Sequence, residues 1–321
     1  MAAPSVRIVV LNWNKPRETA TCLDSLLRQD YPNAAITLVD NASREDPRTV
    51  FAGYLGRVAL IGTTENLGYT GGNNLAIARA LAEGADYVWL VNNDAVAAPD
   101  CLRKLVAAAE ADPAIGLAGP VIRRHAAPAE IELCGGVVAA AACRFEWFDR
   151  LEPARAAQTA APASFMLPGT ALLVRGAVWR RIGLFDVRMF AYHEVIDLAL
   201  RSARAGFRAV LVEDAVVGHD KDPGGRTPPH VVYYSQRNEI RLWRTHAPLR
   251  SRLRRALWDL DTLTRPTAAA DPAHRQARLA GYWHGMLGRT GMYSPDHAMP
   301  WPLRALLAAR PRLVRALLRL A

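Results

Sequence analysis

Short apolar runs alternate along the first third of this chain with stretches in which apolar residues recur at helical spacing. Residues 6–13 (VRIVVLNW) read as a strand. Pro16 to Arg28, with Ala20, Cys22, Leu23, Leu26 and Leu27 on one stripe, reads as a helix that the turn Asp30-Tyr31-Pro32-Asn33 closes. Ala35 to Val39 and Val58 to Ile61 follow as strands, Leu75 to Leu81 as a helix, and Tyr87 to Val91 as a buried strand. A helix from Pro99 to Ala111 and a strand from Gly116 to Ile122 complete the series. Strand and helix alternating at this pitch predict an α/β fold: a doubly wound, mostly parallel sheet flanked by helices.

The middle of the chain continues in the same mixed style. Phe165 to Val174 reads as a strand with Pro168-Gly169-Thr170 inside it, where a glycine permits close approach of a ligand to the backbone. Ala177 to Ile182 reads as a short helix, and a further helix begins near Glu194. Glu194 and Asp197 are three residues apart, so both fall on one face of its amino end. The helix dipole favours carboxylates there, which is a structural reason for their presence, and a general base is the chemical one. Arg237 and Asn238 follow Tyr233-Tyr234 on a helical segment. They either meet a diphosphate or an acceptor, or pack a lid helix on the sheet.

Polar residues collect where the early strands end. Asn12-Trp13-Asn14, Asp40-Asn41, the glycine-rich stretch 68–74 and Asn92-Asn93-Asp94 all fall at carboxyl ends of strands. Parallel strands share that edge, and ligands of open α/β sheets bind there. The set describes a nucleotide pocket. Gly71, Gly72 and the backbone amides around them suit phosphate or ribose oxygens near a helix start, although the stretch matches neither GxGxxG nor GxxxxGK[ST]. Asp94, flanked by amides, suits a divalent cation holding a diphosphate, since hard cations take oxygen ligands. Taken alone, Asn92-Asn93-Asp94 reads equally well as a turn that caps the next helix.

The motifs VLNWN (10–14), VDNAS (39–43), ENLGYTGGNN (65–74) and LVNND (90–94), in this order, resemble the donor-binding half of family 2 glycosyltransferases of the GT-A fold, in particular the bacterial rhamnosyltransferase-like members. The likeness continues through PGTALLVR (168–175), GLFD (183–186), residues 193–208 and YYSQRN (233–238), and covers about the first 245 residues. It implies a transferase that moves a sugar from a nucleotide-diphosphate sugar to a hydroxyl acceptor, with inversion and with Mg²⁺ or Mn²⁺. The acceptor class stays open among a glycan, a lipid-linked saccharide and a secondary metabolite. On the resemblance, Asn12 and Asp40 contact the nucleoside with Asn41 beside them, Gly68 and Asn74 line the sugar-nucleotide, and Asn92, Asn93 and Asp94 stand for the family's DxD-like element. Only its last position is a carboxylate here, the expected metal ligand. His219 falls where relatives carry a histidine that ligates the metal or the diphosphate; its structural reading is a surface turn. Family members usually show Glu-Asp-x-Asp where this chain has Glu194-Val195-Ile196-Asp197, so the base is Glu194 or Asp197. Val195 in the usual place of the base also motivates a rival, a nucleotide-sugar-binding protein without catalysis.

Composition adds location and partners. The 321 residues, 51% of them apolar, can bury a large core. The apolar start is too short for a signal peptide, and the uncharged span from Ala156 to Val174 is broken by prolines and a glycine, so a cytoplasmic protein is expected. Cys22, Cys101, Cys134 and Cys143 show no CxxC spacing and are expected as reduced, buried thiols. The net charge of +10 is concentrated: from Gln236 onward there are 16 arginines and 5 acidic residues, against 24 basic and 25 acidic residues before it. Arg250, Arg252, Arg254 and Arg255 form one basic cluster. The stretch from Trp301 to Ala321 forms another, with Leu313, Leu317 and Leu320 on one helical face and Arg312, Arg315 and Arg319 on another. Such a terminus rests on an anionic membrane at the inner face, or packs on the core or a second subunit as in a homodimer, and Pro302 and Pro311 limit any long helix. It carries no finger, RNP or helix-turn-helix signature, so no nucleic-acid partner is expected. The expected organisation is a GT-A domain over 1–245, its nucleotide-binding half 1–125 and its acceptor half 126–245, followed by a helical basic region over 246–321.

Overall fold

The computed structural model describes residues 3–219, 227–264 and 271–309. Its elements begin with β1 (Val6–Asn12), α1 (Pro16–Leu26), β2 (Ala34–Asp40), the single turn α2 (Pro47–Val50), β3 (Val58–Gly62), α3 (Gly68–Ala82), β4 (Tyr87–Asn92), β5 (Ala95–Ala97), α4 (Cys101–Glu110) and β6 (Ile115–Arg124). The middle holds β7 (Ile131–Leu133), β8 (Gly136–Ala139), β9 (Arg144–Trp147), α5 (Leu151–Ala160), β10 (Phe165–Met166), β11 (Ala171–Arg175), α6 (Gly176–Ile182), α7 (Glu194–Arg204) and β12 (Arg208–His219). Helices α8 (Pro229–His246), α9 (Leu249–Thr264), α10 (Pro272–Leu287) and α11 (Trp301–Ala309) follow.

Among the described residues the main sheet runs β3-β2-β1-β4-β11-β6-β12-β5, with β7 paired to the end of β6. Six of its nine strands point the same way; β11, β5 and β7 run against them. The mostly parallel sheet is therefore as expected, and its central strands are apolar on both faces because helices cover both. Ile8, Val10, Leu38, Trp89 and Val91 meet Leu23, Leu102 and Leu105 of the covering helices in one buried cluster. Register then fixes the site: Asn12 lies opposite Asp40, and Leu11 opposite Asn92, so the polar ends of β1, β2 and β4 are level.

Three elements differ from expectation. The run from Phe165 to Val174 is two strands, β10 in a small sheet with β8 and β9, and β11 antiparallel between β4 and β6. Pro168 and Gly169 carry the chain between them, and Leu167 fills the space that Gly119 leaves on β6, where an added Cβ would sit 3.2 Å from the Leu167 side chain. Helix α3 begins at Gly68, so the glycine-rich stretch is its first two turns and not a loop before it. The short strand β5 is too brief to show in an apolar pattern, yet it determines where Asp94 sits.

The described residues form two compact units: residues 3–138, 146–187 and 194–219 make one, and residues 139–145, 188–193, 227–264 and 271–309 the other. In the second unit α8 and α10 approach closely at a stripe of small residues, Ala277, Gly281 and Gly285; a Cβ on Gly281 would lie 2.6 Å from the Tyr233 carbonyl oxygen. The face around Leu313, Leu317 and Leu320 lies outside the described residues.

Candidate active site

Asp40 ends β2 with its carboxylate buried. Its Oδ2 accepts from Asn12 Nδ2 at 2.7 Å and from Ser43 Oγ at 2.7 Å, and its Oδ1 accepts from the Ser43 amide at 2.9 Å. Asn12 Oδ1 in turn accepts from the Thr19 hydroxyl at 2.8 Å, and that hydroxyl accepts from Asn93 Nδ2 at 2.9 Å. One chain of bonds thus joins the ends of β2, β1 and β4 and fixes the rotamers of Asn12, Asp40 and Asn93. A small cleft lined by Asn12, Asn14, Asp40, Ser43, Glu45 and Phe51 opens beside it. A larger groove lies at the opposite edge of the sheet, on Ser5, Asp86, Tyr87, Glu110, Arg175 and Arg180. Its Arg175 pairs with Glu110 at 3.0 Å, and it lies at the amino ends of β1 and β4 and the carboxyl end of the antiparallel β11.

Asn41 builds the start of α3. Its Oδ1 accepts from the Leu67 amide at 2.9 Å, and its Nδ2 donates to Asn66 Oδ1 at 2.9 Å and to the Gly68 carbonyl at 3.1 Å. Asn66 Oδ1 also accepts from the Gly68 amide at 2.8 Å, so orphan donors of the helix start are satisfied by side chains. Gly68 has φ 72°, a left-handed conformation that glycine adopts without strain. Asn74 faces the other way: it exchanges two bonds with the backbone of Phe185, 2.9 Å from its Nδ2 to the carbonyl and 3.1 Å from the amide to its Oδ1. It clamps α3 to the segment before α7.

Asp94 follows β4 in the tight turn to β5. Because β5 pairs antiparallel with the end of β12, with His219 opposite Ala95, the histidine arrives beside Asp94. His219 Nε2 lies 3.4 Å from Asp94 Oδ1, and Lys15 Nζ 3.6 Å from Asp94 Oδ2. Asp94 Oδ1 is buried and accepts no hydrogen bond. On its other side the His219 ring meets Glu132 of β7, with Nδ1 3.1 Å and 3.0 Å from the two carboxylate oxygens. Burial alone would raise the Asp94 pKa, but His219 and Lys15 outweigh it and hold the carboxyl below its usual range. Burial alone would likewise depress His219, and the Asp94 and Glu132 carboxylates turn the shift upward. Among the described residues no cluster of three or more histidine, cysteine, aspartate or glutamate ligands is arranged around one point. An anionic oxygen lacking a hydrogen bond, with an imidazole nitrogen aimed at it, is nonetheless a donor pair that fits a divalent cation sharing its remaining positions with phosphate oxygens.

The start of α7 is tied to the same edge. The Asn92 amide donates to the Thr170 carbonyl at 2.8 Å, and the next residue back, Gly169, packs so tightly under Val195 that a Cβ there would lie 2.7 Å from Val195 Cγ1. Val195 is therefore a packing residue, filling the space over the glycine. Glu194 is mostly buried, and its charge raises the pKa of the Tyr69 phenol, though less than burial does. Asp197 pairs with Arg201, Nε to Oδ2 at 2.7 Å, and that guanidinium also donates to the carbonyls of Ile182 and Leu184.

In the second unit Arg237 and Asn238 are buried and hold a backbone turn. Asn238 Nδ2 lies 2.7, 2.6 and 2.9 Å from the carbonyls of Met189, Ala191 and Tyr192, and Arg237 donates to those of Met189 and Gly291 at 2.7 Å each. Within that turn Phe190, Tyr192 and His193 all have positive φ, near 70°, which non-glycine residues seldom adopt. The observed contacts of Arg237 and Asn238 are thus to backbone carbonyls of their own unit and not to strands of the sheet.

A family model described as glycosyl transferase family 2 matches residues 7–182. The chain belongs to glycosyl transferase family 2. The family match runs from β1 to α6 and so includes Asp40, Asp94 and Glu132, whereas Glu194, Asp197 and His219 lie beyond it. Among curated relatives, the N-acetylglucosaminyl-diphospho-decaprenol L-rhamnosyltransferase of Mycobacterium tuberculosis is 31% identical over 278 residues, 78% of this chain and 89% of that protein. The galactofuranosyltransferase GlfT1 of Mycolicibacterium smegmatis is 26% identical over 205 residues, and the match spans 62% of this chain and 65% of that protein. The fold is GT-A: the mannosyltransferase PcManGT of Pyrobaculum calidifontis, solved with GDP-Man and Mn²⁺, superposes with a TM-score of 0.58 at 19% identity, over 99% of this chain and 84% of that one. GalNAc-T7, solved with UDP, GalNAc and Mn²⁺, gives 0.61 at 14% identity, over 86% of this chain and 55% of its own.

Sequence reasoning for this family 2 chain leaves out Lys15, Thr19, Glu132 and Arg201. Thr19 and Lys15 sit on an unremarkable helix start. Glu132 offers one faint signal, a carboxylate between Ile131 and Leu133.

Proposed function

We propose that this protein transfers a sugar, with inversion, from a nucleoside-diphosphate sugar to a hydroxyl of a lipid-linked saccharide. The observation that carries the reading is Asp94: a buried carboxylate oxygen without a hydrogen bond, facing His219 Nε2, on the edge where Asp40 and Asn12 also end. Asp94 and His219 are the residues to hold a divalent cation, which when bound supplies positive charge for the departing diphosphate. Lys15 adds a second positive charge at the same carboxylate. Asp40, locked by Asn12 and Ser43, presents a fixed surface to the nucleoside, and preorganisation of this kind lowers the entropy lost on binding.

Glu194 is the proposed base. It stands one residue from the Val195–Gly169 contact, and Gly169 precedes the Thr170 carbonyl that the Asn92 amide of β4 meets, whereas the Arg201 guanidinium on Asp197 makes that carboxylate a poor proton acceptor whatever Glu194 itself contacts. Its carboxylate takes the proton of the acceptor hydroxyl as that oxygen bonds to the anomeric carbon from the face opposite the diphosphate. The bond from the anomeric carbon to the diphosphate oxygen breaks, and the nucleoside diphosphate leaves with that electron pair. The acceptor class and a rhamnosyl donor as the first to try are supported by the long match to the M. tuberculosis rhamnosyltransferase.

Calorimetry with a panel of nucleoside diphosphates and nucleotide sugars, with Mn²⁺ and with chelator, tests the reading. One nucleotide is expected to bind tightly only with metal, and Asp94→Ala is expected to remove that dependence. A panel without a binder would refute the donor assignment.

A further inference from the structure

We propose that Glu132 is a positioning residue for His219: it fixes the ring so that Nε2, as an unprotonated donor, faces Asp94. The inference rests on the cation reading above. Two strands close on the histidine from opposite sides. On one side β5 brings Asp94, through the pairing of His219 with Ala95. On the other, β7 lies antiparallel on the end of β6, the strand that β12 itself follows in parallel up to His219. Glu132 points from β7 to the ring and is only 6% exposed.

The chemistry follows from hydrogen-bond inventory. An ionised carboxylate only accepts, so with both Glu132 oxygens within 3.1 Å of Nδ1 the ring proton belongs on Nδ1. In the neutral ring Nε2 then carries a lone pair, directed at Asp94 Oδ1 3.4 Å away, an oxygen that likewise lacks a hydrogen bond. Two electron-pair donors held face to face make a bidentate seat for a cation. A carboxylate behind a ligating imidazole sets its tautomer and raises its basicity, and losing such a partner commonly lowers metal affinity about 10–100-fold.

Mn²⁺ alone, titrated into the full chain and followed by the EPR signal of the free ion, tests this. Glu132→Leu is expected to weaken Mn²⁺ about 10–100-fold, close to the loss in His219→Ala. Glu132→Gln, which keeps the shape and an acceptor without the charge, is expected to fall between wild type and Glu132→Leu. Combining Glu132→Leu with His219→Ala is expected to cost nothing beyond His219→Ala, because the carboxylate acts through the ring. An unchanged affinity in Glu132→Leu, or a full second loss in the double variant, would overturn the proposal. ¹⁵N NMR of metal-free wild type reads the same claim without metal, at a pH where the ring is neutral. A proton on Nδ1 supports it, and a proton on Nε2 defeats it even if the leucine variant fails to fold. Wild type that binds no Mn²⁺ sinks the cation reading, and the tautomer still decides the role of Glu132.

Discussion

Two carboxylates stand at the amino end of α7, and their places in the packing differ. Asp197 is held by Arg201, whose guanidinium also ties down two carbonyls before the helix, whereas Glu194 adjoins the packed Val195–Gly169 contact. Glu194→Gln is expected to lower kcat by roughly 10²–10⁴ with donor affinity unchanged, the range for loss of a general base. Asp197→Asn is expected to lower thermal stability first, since it takes the charged partner from a half-buried guanidinium that holds the chain before α7. Steady-state kinetics alongside calorimetric melting checks both; equal losses of kcat with no change in stability for Asp197→Asn would reassign the base. At this scale the places of Asp40 and Asp94 at the carboxyl ends of β2 and β4 are legible in the sequence, because each follows an apolar run that predicts the strand. Asn74 is named by the same resemblance, but its amide is occupied by the Phe185 backbone, and only coordinates show which way a side chain on α3 turns. Glu132 escapes notice because its partner lies 87 residues away.

Elements built from strong periodicity are read well: β1, β2, β3, β4, α1 and α4 fall within a few residues of expectation. Those ruled by distant contacts are not. Glycine and asparagine disfavour a helix interior, yet α3 contains Gly71-Gly72-Asn73-Asn74 near its start, because Asn41 and Asn66 cap it and Gly72 lets it close on β1. A Cβ on Gly72 would lie 2.5 Å from Leu11 Cδ1. The same logic of burial governs α9, where Asp259 is buried against Arg255 at 3.0 Å and its pKa is pushed up to about 6, burial outweighing the arginine. A carboxyl whose folded pKa lies above its unfolded value of 3.8 favours the folded state at low pH, and that contribution is lost as pH rises through the folded pKa. Asp259→Asn removes the ionisation. Its stability relative to wild type is therefore expected to climb between about pH 4 and 7, by roughly 1.4 kcal/mol per unit of displacement, and then to level. Denaturant melts of both proteins across that range decide it; a difference independent of pH would show that Asp259 titrates normally.

The whole molecule is electrically lopsided, with the excess positive charge after Gln236. Helix α9 turns Leu249, Leu253 and Trp258 outward, 61%, 56% and 47% exposed, with Arg250 among them, while Asp259 and Asp261 are buried. Trp301 at the start of α11 is 71% exposed. An outward face of leucine, tryptophan and arginine suits the headgroup region of an anionic bilayer, in keeping with the proposed lipid-linked acceptor. No helix of the described residues is long and apolar enough to cross a membrane. The full chain is expected to float with phosphatidylglycerol-containing vesicles, and Leu253→Ser combined with Arg250→Glu to reduce that binding about tenfold. Equal recovery with and without vesicles would refute the membrane contact, and a dimer in sedimentation that the same pair of substitutions dissolves would assign the face to a second copy.

Arginine supplies nearly all the positive charge, and the chain contains three lysines, Lys15, Lys104 and Lys221. Lys104 is held between Asp100 and Asp214, and Lys221 lies outside the described residues, but Lys15 is 52% exposed with its amine 3.6 Å from Asp94. The proposed donor edge thereby carries its own chemical label. Brief treatment with an amine-directed acylating reagent, followed by peptide mass spectrometry, reports occupancy of the edge at a single side chain: acylation of Lys15 is expected to fall when a nucleotide and Mn²⁺ are added, while that of Lys104 stays constant. An unknown donor can thus be found by footprinting, before any acceptor is in hand.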